Sequence, residues 1–215
     1  MEITWLGHSC FRLRGKEVTV VTDPFAPQIG YSLGRVNAQI VTVSHEHPGH
    51  NNAAAVGGNP RVLRGPGEYE IQDVLITAVA SYHDDERGKR LGRNTIYLLR
   101  IDDLLVCHLG DLGHLLTDAQ QEEISDVDIL FVPVGGKHTI NASQAAEVIS
   151  QVEPRVIIPM HYATPATEGK IEGLDPVEKF CREMGVEVVE PQPKLAVTRG
   201  NLPVAPQVVI LNYQG

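Results

Sequence analysis

The 215-residue chain predicts an α+β fold in which two β-sheets pack together with helices outside. Three observations predict it. Strand signals crowd the first half, strand and helix signals alternate in the second, and four apolar runs each lead to a residue able to bind a metal. Hydrophobic residues make up 42% of the chain, enough for a full core, and the length suits one domain over residues 1–215.

Taken in order, β-branched or alternating patterns at 3–6, 9–13 and 18–22 read as strands, with Arg14-Gly15-Lys16-Glu17 as a hairpin turn. Asp23-Pro24 breaks the third strand. The run Gln39-Ile40-Val41-Thr42-Val43 reads as a buried strand reaching Ser44. Residues 51–56 predict a short helix ended by Gly57-Gly58. A strand at 61–63 enters the turn Gly65-Pro66-Gly67. The apolar run 74–81 ends near His83, and strands at 94–100 and 104–109 flank the hairpin Asp102-Asp103. Beyond it come a short helix at 117–124 and a strand at 128–134. The clearest helix spans 141–152: Asn141 caps it, Gln144 sits where a capping box needs its partner, and Pro154 stops it. A strand at 156–159 leads to His161, a helix at 176–184 has Gly185 past its end, and the tail 195–211 carries one or two strands.

Bulk properties narrow the function classes. A net charge of −9 and a pI of about 5.4 disfavour a broad nucleic-acid surface. Cys10, Cys107 and Cys181 are too few and too scattered for a disulfide framework, which favours a reducing cytoplasm. No apolar run is long enough to span a bilayer, so no membrane partner is expected. The opening Met1-Glu2-Ile3-Thr4-Trp5-Leu6-Gly7 lacks the basic and apolar regions of a signal peptide.

The segment His45-Glu46-His47-Pro48-Gly49-His50 carries the chemistry. His45 and His47 are two apart, so in extended backbone they point the same way and can share a metal, while Glu46 points away. His83, Asp111 and His161 also follow apolar runs, so the strand ends assemble a His-carboxylate site at one sheet edge. Six such groups exceed what a single zinc needs, and a second metal about 3.5–4 Å away would share a bridging carboxylate.

The order HxHx-H, a later His, Gly-Asp and a late His resembles the metallo-β-lactamase fold hydrolases. Trp5-Leu6-Gly7-His8-Ser9, Gly110-Asp111, Pro133-Val134-Gly135-Gly136 and Ile158-Pro159-Met160-His161-Tyr162 are similar to the compact branch related to L-ascorbate-6-phosphate lactonase. The resemblance runs from Trp5 to about Tyr162. It implies a four-layer αββα sandwich with the site at its upper edge. It also implies that His45, His47 and His83 hold a first metal, His50 and His161 a second, and that Asp111 bridges them and acts in catalysis. The early Asp23 would orient a ligand histidine, although a plain turn former beside Pro24 is the competing reading. His8 resembles a pocket position, with a catalytic or substrate-side role against a structural one.

One position departs from the pattern. The family motif is HxHxDH, and its Asp falls on Gly49. The second metal would then be one ligand short, unless Glu68 or Asp84 substitutes. Glycine there also fits a turn after Pro48 that needs a positive φ. His108 reads as core or as a support behind the ligands, and His114 and His138 as solvated loop histidines. The run Asp84-Asp85-Glu86-Arg87 with Lys89 and Arg90 reads as an exposed loop tip. The leading expectation is a hydrolase that activates water on one or two divalent ions, zinc first, with manganese or iron as alternatives. The substrate would be a small ester, lactone or phosphodiester, and a homo-oligomer is compatible. A metal- or ligand-binding protein with weak hydrolysis, motivated by Gly49, and a nuclease are the competing readings.

Overall fold

The computed structural model describes residues 1–187 and 190–214. In chain order the strands are β1 (Glu2–Gly7), β2 (Cys10–Arg14), β3 (Thr19–Thr22), β4 (Ile40–Val43), β5 (Arg61–Arg64), β6 (Gly67–Ile71), β7 (Val74–Tyr82), β8 (Arg93–Ile101), β9 (Leu104–His108), β10 (Ile129–Pro133), β11 (Val156–Met160), β12 (Leu195–Ala196) and β13 (Gln207–Val208). They form two mixed sheets, ordered β12-β1-β2-β3-β4-β5 and β13-β11-β10-β9-β8-β7-β6. Each sheet has an antiparallel part and a parallel part. β3, β4 and β5 run parallel in the first, and β9, β10, β11 and β13 in the second.

Side-chain alternation builds the layers. From the first sheet, Ile3, Trp5, Phe11, Leu13, Val20 and Ile40 join the main core with the second sheet's Ile96, Tyr97, Val106 and Phe131. Phe11 stacks on Phe131 with ring centroids 4.1 Å apart, tying the sheets together. The next residues along the same strands, Leu6, Cys10, Val21, Val41 and Val43, pack with Phe25, Tyr31, Val36, Ala53 and Val56 in a separate cluster. Strands buried on both faces explain why β4, β10 and β11 are apolar throughout.

The helices are α1 (Asp118–Glu123), α2 (Ala142–Val152) and α3 (Val177–Glu183). The expected capping box of α2 forms, with Asn141 and Gln144 exchanging side-chain-to-backbone bonds. α2 lays Ala142, Ala145, Val148, Ile149 and Val152 into the core. The architecture is the αββα sandwich, and the outer layer over the first sheet is made largely of turns. The expected helix at 51–56 is a single 3₁₀ turn, Ala53–Ala55. Asn52 does not cap it; its Nδ2 donates to Phe25 O instead, and Gly57 N donates to Val36 O, which draws the chain out of helical geometry.

β6 has no counterpart among the expected strands. It is an edge strand with Glu68 and Glu70 exposed, paired with β7 through a tight turn at Gln72-Asp73. Both turn residues have positive φ, 51° and 63°. That backbone normally asks for Asn or Gly, so the pair carried no turn signal. The tail supplies two short strands, one to each sheet: β12 pairs with β1 and β13 with β11. Among the described residues, no helix is long and apolar enough to cross a membrane.

Candidate metal centre

β4 stops at Val43, and the histidine segment follows as a bend and turn closed by His50 N donating to His47 O at 2.9 Å. The pairing of His45 with His47 therefore does not come from strand alternation, as expected, but from this bend, which brings their ring centroids to 4.7 Å. Glu46 does point away: it is exposed and bonds Arg64 and Asn51.

Asp111 follows β9 and reaches the middle of the cluster. Gly110 has φ +58°, and a Cβ there would stand 2.4 Å from Asn94 Oδ1 and 2.6 Å from Ser44 Cβ, so this approach requires glycine. Asn94 holds the turn: its Oδ1 accepts from Asp111 N at 3.0 Å, while its Nδ2 donates to Leu109 O and Ser81 Oγ. Around Asp111 Oδ2 stand His50 Nε2 at 3.1 Å, His161 Nε2 at 3.3 Å, His83 Nε2 at 3.4 Å and His45 Nε2 at 3.7 Å.

Three of these rings have their other nitrogen committed. His83 Nδ1 donates to His138 O at 2.8 Å, and His50 Nδ1 donates to Asp23 Oδ2 at 2.8 Å. The Ser44 hydroxyl donates to Asp23 Oδ2, so its lone pair is left to accept from His45 Nδ1 at 2.9 Å. Asp23 is fully buried and also accepts from Ser44 N, so one carboxylate orients His50 directly and His45 through Ser44. It is not a plain turn former.

This wiring leaves buried polar atoms without hydrogen-bond partners among the described residues, and four lie in the centre: His8 Nδ1, His45 Nε2, His161 Nδ1 and Asp111 Oδ1. His45 and His83, each with its Nδ1–H engaged, face one carboxylate oxygen lone pair to lone pair. Buried polar groups are rarely left this way, and a cation between them resolves the conflict. The donor set, nitrogen plus one carboxylate, suits zinc, manganese or iron.

Protonation follows the same geometry. Burial works against a charged His50, but the Asp111 and Asp23 carboxylates outweigh it and push its pKa up to about 10. Burial would raise Asp111, yet His161 and His50 hold it well below the usual carboxylate range. Burial, reinforced by neighbouring histidines, pushes His45 and His8 well down, so both are neutral.

Ligand-capable atoms gather in two histidine trios, His45 with His47 and His83, and His8 with His50 and His161, with all such atoms in a group within 4.8 Å. Asp111 also groups with His45 and His50. His8 thus sits inside the cluster and also lines the cleft above it. Glu68 is exposed on β6 and belongs to none of these groups. Asp84 belongs to none either and is buried, not at an exposed loop tip: its carboxylate accepts from the backbone N–H of Glu86, Gly88, Arg90 and Leu91. Gly49 does not have a positive φ; what faces it is the His8 ring.

His108 is buried between Ser9 O and Gly110 N, a core role. His114 is half-buried and accepts from Tyr82 N, so it is not simply solvated. His138 is exposed and contributes its carbonyl to His83. Sequence reasoning did not single out Ser44 and Asn94, since short polar side chains gain these partners only in three dimensions. Above the cluster opens a cleft of about 430 Å³, lined among others by Ile29, Pro48, Leu91, Lys137, Lys170 and Ile171.

The chain is 28% identical to a Methanopyrus kandleri protein named a metal-dependent hydrolase, over 89% of this chain and 97% of that one. It is 39% identical to a Thermotoga maritima protein assigned to the Zn-dependent hydrolases of the metallo-beta-lactamase superfamily, with a TM-score of 0.80 over 98% of this chain and 97% of that one. A metallo hydrolase from Ignicoccus hospitalis, 19% identical with a TM-score of 0.67 over 90% and 97% of the two chains, shares the fold. Residues 2–161, the stretch that builds both sheets' site-bearing edges, match the beta-lactamase superfamily domain, and the chain belongs to that superfamily, in its metallo-beta-lactamase fold.

Proposed function

We propose that the protein is a metal-dependent hydrolase of small anionic esters, phosphodiesters foremost, with lactones as the uncharged alternative. The observation that carries the reading is the set of imidazole nitrogens 3.1–3.7 Å from Asp111 Oδ2, an arrangement that a buried carboxylate tolerates best around a cation. His45, His47 and His83 would hold one divalent ion, and His50 and His161 a second. Asp111 would lie between them, its negative charge offsetting their repulsion. Zinc is the metal assigned to the Thermotoga maritima relative and suits this donor set. Such an ion supplies Lewis acidity, polarising a carbonyl or phosphoryl oxygen and lowering the pKa of nearby water towards about 7.

The remaining work falls to the chain. Asp23 and Ser44 keep His50 and His45 in one tautomer, with Nε2 directed at the centre. Ile29, Leu91 and Ile171 give the cleft an apolar wall, which strengthens charge interactions inside it. Lys137 and Lys170 bring positive charge to the same cleft and favour a substrate with a negative charge near the reacting group.

The test pairs metal analysis with a hydrolysis panel of phosphodiesters, carboxylic esters and lactones. Activity should follow metal content and be greatest on the anionic members. Asp111→Ala should lower both metal per chain and turnover. A protein that purifies without metal, takes up none from added zinc and hydrolyses nothing would end this reading.

A further inference from the structure

We propose that His8 is itself a ligand of the second metal position, seated where Gly49 provides no side chain. The inference rests on the metal-dependent reading above and assigns His8 a place in its ligand set. Three observations carry it. A ring nitrogen of His8 lies within 4.8 Å of ring nitrogens of both His50 and His161, the same grouping criterion that joins His45, His47 and His83. The His8 ring is buried and packs on His161 and His50, with centroids 4.2 and 4.9 Å away, and its Nδ1 has no hydrogen-bond partner among the described residues. A Cβ built on Gly49 would stand 2.9 Å from His8 Nε2 and 3.1 Å from its Cδ2. The volume that a side chain at 49 would enter is therefore already filled by the His8 ring.

The backbone holds the ring there. His8 has φ +52°, a left-handed backbone that is unfavourable for a residue with a side chain. Its carbonyl accepts from Trp5 Nε1 at 3.0 Å and from His161 N at 3.2 Å, so the left-handed turn is locked to the segment that bears His161. A residue kept in a strained conformation, buried and unpaired, facing two other imidazoles, matches a ligand better than a packing residue.

A charge difference follows. An imidazole in place of a carboxylate leaves the centre one unit more positive, with Asp111 as the acid among the grouped residues. A more positive centre attracts anions more strongly, in keeping with Lys137 and Lys170 in the same cleft.

The experiment measures metal per chain by elemental analysis, and binding by titrating zinc and cobalt(II) into the apo protein, following the cobalt absorption bands. The unmodified chain should bind two ions. His8→Ala should keep the first and weaken the second by more than the roughly 10–100-fold that loss of an outer hydrogen-bond partner costs. Gly49→Ala should weaken the same ion without altering any ligand atom, because it displaces the ring. His8→Ala combined with Gly49→Asp should regain the second ion. Circular dichroism checks that each variant is folded, and Gly49→Ala decides the matter if His8→Ala is not. His8→Ala binding two ions as tightly as the unmodified chain overturns the assignment. So does an unmodified chain that binds one ion only, which leaves the first position and the hydrolase reading intact. A chain that binds none removes the hydrolase reading itself.

Discussion

At the residue scale, Asp23 is the acid that orients the centre from behind. Two imidazoles depend on it: His50 by direct contact and His45 through the Ser44 hydroxyl. Removing it leaves both rings free to rotate or to take the other tautomer. Asp23→Ala should therefore weaken metal binding by roughly 10–100-fold while leaving every ligand atom in the chain. Competition against a chromophoric chelator measures this, and an unchanged affinity would show that packing alone orients the rings. Most of this centre is legible in the sequence, because His45, His47, His50, His83, Asp111 and His161 all follow apolar runs that deliver them to one edge. Ser44 and Asn94 are not legible. Their importance lies in partners far along the chain, Asp23 for one and Asp111 for the other, and no local pattern records a contact of that kind.

At the element scale, the connection between β7 and β8 shows how a charge-rich stretch becomes a built loop. The run 84–90 reads as a solvated tip, and its charged members are exposed apart from Asp84. Asp84 turns inward and gathers the loop with four backbone N–H bonds. Burial alone would raise its pKa, but those four donors hold it down to about 2. The unfolded value is about 3.9, so the folded value is depressed. The stability it adds is present above the unfolded value and is lost as pH falls from about 4 to about 2. Asp84→Ala should melt lower than the unmodified protein at neutral pH, and the gap between their melting temperatures should close across that acid window. Trypsin should also cut the variant faster after Arg87, Lys89 and Arg90. Equal cleavage and a gap that does not change with pH would show that the loop stands without this acid. Elements whose signals are local were legible, such as α2 with its capping box. Those shaped by neighbours were not: 51–56 lost its helix to Phe25 and Val36, and β6 formed on the edge of β7 from a sequence with two exposed glutamates.

At the scale of the whole molecule, the candidate centre lies across the seam of the sandwich. His8, His45, His47 and His50 follow strands of the first sheet, while His83, Asp111 and His161 follow strands of the second. An ion held among them joins the sheets and binds only the folded state. At a free concentration about 100 times its dissociation constant it would add roughly 2.7 kcal/mol. For a chain of this length that corresponds to roughly 5–10 °C in melting temperature. Scanning fluorimetry with and without a chelator should show a fall of that order, reversed by adding zinc, and a melting temperature indifferent to chelation would mean that the sheets dock without help from an ion.

The same seam sets an order of events during synthesis. The candidate ligands begin at His8 and are complete only at His161, after β11 has been made. The amino-terminal sheet can form most of its strands while the chain is still growing, yet it holds only part of the donor set, and β12, which completes its edge, comes from the tail. Metal capture is thus deferred until the second sheet has closed over the first. A complete donor set exists only in the folded chain, so metal binding and folding are linked.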